Sequence, residues 1–118
     1  MLTDDYIAGF FDGEGCVRLQ VHNDKRGKGY SYIEAQIEIT SCDMSILEEI
    51  QKTVECGKIR EKDNYKRGNN HCYKLVFSKQ SEMLKVLKRI YPVLRIKRDA
   101  CSKVIKFLEN KSSLNKDI

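Results

Sequence analysis

The sequence predicts an α+β domain: one four-stranded antiparallel sheet with helices packed on a single face. Three observations carry that prediction. Residues 16–22 and 30–40 alternate apolar and polar positions, the pattern of half-buried strands. A short polar stretch with two glycines joins the runs, which makes them a hairpin. The apolar period then becomes helical, and the helix–strand–strand order repeats before the chain ends in helices. At 118 residues the chain can build one modest core. A single domain over residues 1–109 is expected, with a polar, frayed tail over residues 110–118.

Each element has its own local signal. Thr3, Asp4 and Asp5 offer N-caps for a first helix with Ile7, Phe10 and Phe11 as apolar positions, and Gly13 and Gly15 end it. In the first strand Val17, Leu19 and Val21 share a face. In the second, Ile33, Ala35, Ile37 and Ile39 point one way while Tyr32, Glu34, Gln36, Glu38 and Thr40 point the other. Asp43 caps a second helix carrying Met44, Leu47, Ile50 and Val54, which Gly57 stops. Residues 58–62 and 72–77 read as a second pair of strands around a charged loop at 63–70. A helix over 78–91 ends near Pro92, which has no N–H to donate and disfavours a helical residue before it. The last helix is expected over about 96–109, with Ala100, Val104, Phe107 and Leu108 inward.

Composition narrows the classes. With 41% hydrophobic and 33% charged residues the chain is ordinary globular material. No stretch approaches the roughly 18 apolar residues of a membrane span, so no membrane partner is expected. The N-terminus carries Asp4 and Asp5 where a secretory signal would be basic, which points to an intracellular protein of the cytoplasm, nucleoid or an organelle matrix. Cys16, Cys42, Cys56, Cys72 and Cys101 contain no C-x-x-C pair, so reduced thiols are expected rather than a zinc site or disulfide framework.

The polar sheet face is by default only a solvated one. Its residue types say more. Arg18, Gln20, His22, Tyr32, Gln36, Lys58, Arg60, Lys62 and Lys74 are rich in the donors that read guanine and adenine edges in a major groove. Glu34 and Glu38 would repel phosphate but can accept from cytosine. Lys25, Arg26 and Lys28 in one hairpin loop, and Lys66 and Arg67 in the other, suit backbone phosphates. The net charge of +5 fits a polyanionic partner.

Residues 7–15 read Ile-Ala-Gly-Phe-Phe-Asp-Gly-Glu-Gly. This run resembles the LAGLIDADG motif of homing endonucleases almost position for position: apolar, Ala-Gly, two apolar, Asp, small, acid, Gly. The resemblance extends over about the first 110 residues, and the run Pro92-Val93-Leu94-Arg95-Ile96-Lys97 is similar to the family's catalytic-lysine segment. There is one motif, which matches the single-motif, homodimeric branch. The resemblance implies the αββαββα fold and a double-strand break in a long, near-palindromic DNA duplex, made with Mg²⁺ or Mn²⁺. It places Glu14, with Gly13 beside it, at the metal-binding acid and Lys97 at the active-site lysine. Ser41, after Thr40, stands where relatives often carry a water-orienting Gln, and is shorter. Ala8, Gly9, Phe11, Asp12 and Gly13 are then the expected dimer interface. Gly9 and Gly13, four apart, share a helix face that lets another backbone approach; the alternative is that they fit the monomer core. Glu14 at a helix C-terminus is disfavoured by the macrodipole and so needs a reason; Asp12 faces the same objection and is expected to be structural, bonding backbone at the helix end or across the interface. Two other functions fit the same resemblance: a DNA-binding regulator without cleavage, and an RNA maturase acting on its own intron.

Overall fold

The computed structural model describes residues 1–23, 31–62 and 72–116, the last five by backbone alone. Thr3 opens α1 (Asp4–Glu14): its hydroxyl accepts the Tyr6 N–H at 3.1 Å, and Asp4 and Asp5 complement the helix dipole. Gly15 starts β1 (Gly15–Asn23), because a Cβ there would stand 2.5 Å from the Phe11 ring and 2.7 Å from the Phe11 carbonyl oxygen. The backbone oxygen cannot move aside. Gly15→Ala should therefore destabilise the fold by about 1–3 kcal/mol, read as a lower urea midpoint at unchanged m-value.

β1 pairs antiparallel with β2 (Ser31–Ser41), from Gly15 opposite Ile39 to Asn23 opposite Ser31. Asp43 then caps α2 (Met44–Val54) by accepting the Ser45 N–H at 2.9 Å, and Glu55 and Gly57, both at positive φ, turn the chain out of it. β3 (Lys58–Lys62) and β4 (Cys72–Phe77) follow, then α3 (Gln80–Ile90). Pro92 lies in a short 3₁₀ turn, Tyr91–Val93, before α4 (Arg98–Lys116). The sheet order is β1-β2-β4-β3, so the chain has the α+β, αββαββα architecture the sequence predicts.

All helices cover one sheet face. Ile7 and Phe11 of α1, Ile37 and Ile39 of β2, Leu75 and Phe77 of β4, and Leu87 and Ile90 of α3 are buried in one cluster. Each such side chain contributes about 1.5–3 kcal/mol by leaving water. Arg89 pins the start of α1 across the core: its Nε donates to Asp4 Oδ1 at 2.6 Å and its Nη1 to the Thr53 carbonyl at 3.1 Å.

Four features depart from the sequence reading. The β1–β2 hairpin outruns its helical cover, so Val17 and Ala35 are buried while Val21 is 66% and Ile33 45% exposed. The last helix, expected over about 96–109, runs from Arg98 to Lys116, since residues 110–116 contain neither Gly nor Pro to stop it. Cys42 and Cys72 form a disulfide, against the expectation of five reduced thiols. The β2–β4 register explains the pairing: Ser41 faces Tyr73, so the next position outward sets Cys42 opposite Cys72. Finally, Ala8 and Phe11 are wholly buried in the monomer and cannot belong to a dimer interface. Phe11 sits about 200° around the helix from Gly9, which places it on the core side.

Candidate active site and nucleic-acid interface

Strand pairing gathers the polar residues onto the sheet face away from the helices. Arg18 stands opposite Gln36, Gln20 opposite Glu34 and His22 opposite Tyr32. Further in, Lys74 lies between Thr40 on β2 and Arg60 on β3. Lys58 and Lys62 continue the same alternation along β3, and Glu38 along β2. Contacts within this face orient some of its members. Arg18 Nε donates to Gln36 Oε1 at 2.7 Å, which leaves the two terminal nitrogens of the guanidinium to present a fork. The His22 ring stacks on Tyr32 with centroids 5.0 Å apart. Its Nε2 approaches Glu34 Oε2 at 3.4 Å without making a hydrogen bond, and is an ion-pair partner only when the imidazole is protonated. Lys25, Arg26, Lys28, Lys66 and Arg67 lie outside the described residues.

Ser41 does not join this face. Its parity is that of Ile39 and Ile37, and its hydroxyl accepts the Asp43 N–H at 3.0 Å in the turn into α2. A water-orienting role for Ser41 has no support in that geometry.

The motif residues cluster where α1 ends. Glu14 is the last residue of the helix and is exposed, and among the described residues its carboxylate takes part in no ion pair or side-chain hydrogen bond. Asp12 behaves differently. Its carboxylate accepts the backbone N–H groups of Arg95, Ile96 and Lys97 at 2.8, 3.1 and 2.9 Å. Lys97 in turn donates its Nζ to the Asp12 carbonyl oxygen at 2.5 Å. Partial burial works to raise the Asp12 pKa, but the three backbone donors and the Lys97 charge outweigh it and hold the carboxyl below its ordinary range. Asp12 thus bonds backbone within its own chain, the first of its two expected roles. Its partners lie more than 80 residues away, so no local pattern could name them.

Along α1, Gly9 and Gly13 face outward. Beyond its own helix backbone and chain neighbours, a Cβ added to either meets no atom of the described residues within 4 Å, so the described core does not require glycine at these positions. A groove of about 490 Å³ runs beside Gly9, lined by Asp5, Asp12 and the segment Pro92–Arg95 with Arg98. Ile96, next to it, is 78% exposed.

The sequence model of the LAGLIDADG endonucleases matches residues 7–108, which takes in the motif, the sheet and the lysine segment together. The chain belongs to the LAGLIDADG endonuclease family. Solved structures agree on the fold. The archaeal intron-encoded homing endonuclease I-Vdi141I, solved with DNA, superposes with a TM-score of 0.79 at 19% identity, over 93% of this chain and 69% of that one. The homing endonuclease I-TnaI superposes at 0.73 with 24% identity, over 98% and 80%. I-CvuI, solved on a DNA target, superposes at 0.76 with 19% identity over 90% of this chain, which spans 65% of the I-CvuI chain. No curated protein sequence matches.

Proposed function

We propose that this LAGLIDADG chain is a homing endonuclease, acting as a homodimer to break both strands of a long, near-palindromic DNA site with a divalent metal. The observation that carries this reading is the outer face of α1. It bears glycines that the described monomer does not need, and it ends in an exposed carboxylate without a partner among the described residues. Two copies packed on Gly9 and Gly13 form an isologous interface that brings two Glu14 side chains together. Ile96 and the groove beside Gly9 extend that contact.

One chain offers too few ligands for a closed metal site: among the described residues no three His, Cys, Asp or Glu side chains cluster. Mg²⁺ needs fewer from protein, since it takes one or two carboxylates with waters and substrate phosphates. Glu14 from each copy, with the Gly13 carbonyl, fits that demand. When bound, the ion supplies an activated water and offsets charge on the phosphate. The structures of I-CvuI on DNA were obtained in the presence of Mg, with the DNA not cleaved, or of Ca. Lys97 provides a fixed positive charge for the developing phosphorane. The basic and amide side chains of the sheet face read bases, and the loop lysines and arginines hold phosphates.

These two contributions separate by mutation. Arg60→Ala should relax preference at one or two base positions per half-site, at about 1–3 kcal/mol for a lost bidentate contact. Lys66→Ala should weaken binding to all sequences alike and reduce the salt slope by about one. Competition titrations on variant duplexes decide the matter; an unchanged base preference in Arg60→Ala, Lys58→Ala and Lys62→Ala would remove this face as the reader. The nuclease reading itself is tested by incubating the protein with a randomised duplex library and Mg²⁺, then sequencing the cut ends. Recovery of one recurring site supports it, while binding without cutting favours a regulator.

A further inference from the structure

Asp12 holds the segment that carries Lys97 by two different parts of one residue. Its carboxylate gathers three successive N–H groups, from Arg95, Ile96 and Lys97. Its carbonyl oxygen accepts from the Lys97 ammonium. Residues 94–97 lie between the 3₁₀ turn and α4: the Leu94 N–H bonds back to Ile90 and Tyr91 and the Lys97 carbonyl accepts from Cys101, but no helix hydrogen bond holds the N–H groups of Arg95, Ile96 and Lys97. Without the carboxylate those three donors have no partner in the described structure. A carboxylate beside the C-terminal end of a helix is itself disfavoured by the macrodipole. The three converging backbone donors compensate for that penalty. A lysine side chain carries about 2 kcal/mol of rotamer entropy, so an unanchored ammonium would be spread over many positions.

We propose that Asp12 is a positioning residue for Lys97: it fixes where the ammonium stands at the end of α1, and it acts on cleavage through Lys97 alone. The consequence for cleavage rests on the nuclease reading above; the placement of the ammonium does not.

Both parts can be measured on the full chain. In protein labelled with ¹⁵N-lysine, the parent should show a slowly exchanging ammonium signal that Lys97→Met removes. Asp12→Ala should lose the same signal, and Asp12→Asn, which keeps one acceptor oxygen and the side-chain shape, should fall between. Circular dichroism identifies any variant that has not folded, and the Asn variant then carries the comparison. Single-turnover cleavage of prebound DNA should slow about a hundredfold in Asp12→Ala, the scale of a misplaced catalytic group. Asp12→Ala combined with Lys97→Met should be no slower than Lys97→Met alone, whereas a general structural role would add its own loss. An ammonium signal untouched by Asp12→Ala would overturn the proposal, as would a further tenfold loss in the double variant. If the ammonium depends on Asp12 but the parent never cuts DNA, the positioning stands and the nuclease reading falls.

Discussion

Glu14→Gln should give a folded dimer that still binds its DNA site and cuts it on the order of a thousandfold more slowly. The substitution keeps side-chain length and removes the charge that would hold a divalent cation. About 4 kcal/mol of lost transition-state stabilisation corresponds to that factor. Folding should not change, because the Glu14 side chain is exposed and supports no other group among the described residues. Binding should persist, since the sheet face lies on other elements, and can tighten without metal because a carboxylate facing phosphate is gone. Nicking and linearisation of a site-bearing plasmid in Mg²⁺, beside a gel shift in Ca²⁺, separates the two effects. Cleavage at the parental rate would dismiss Glu14 as the metal-binding acid.

What the sequence made legible was local. The alternation in residues 16–22 and 30–40 needs only neighbours two apart, and strand pairing keeps that parity across the whole sheet. The run Ile7–Gly15 is likewise contiguous, so the motif was readable before any contact was known. Phase along a helix was less secure. Reading the motif as a block placed Ala8 and Phe11 in the interface with Gly9, although the helical period turns them inward, where both are buried. The illegible features are those set by tertiary register. The Cys42–Cys72 pair spans 30 residues and depends on how β2 meets β4. Asp12 reaches Arg95, 83 residues away, and only its unfavourable place at a helix end hinted that something compensates it. How far the hairpin projects past its helices depends on three-dimensional cover, which periodicity does not report.

Gly9 offers the sharpest test of assembly, because substitution there should act with opposite signs on folding and on function. Glycine inside a helix is about 1 kcal/mol worse than alanine, and a Cβ at this position meets nothing outside its own helix within 4 Å among the described residues. Gly9→Ala and Gly9→Leu should therefore leave the monomer's helix content intact or slightly raised. A branched side chain on that face would hold two α1 helices apart, beyond the close backbone approach that two glycines permit. Gly9→Leu should then sediment as a monomer, and cleavage should disappear with the dimer, since one copy supplies one Glu14. Gly9→Ala should weaken association by a smaller amount and keep residual cutting at high protein concentration. Sedimentation velocity beside plasmid cleavage over the same concentration range measures both. A Gly9→Leu variant that stays dimeric and active would show that this face is not the interface. A parent chain that cuts while monomeric would remove the homodimer altogether.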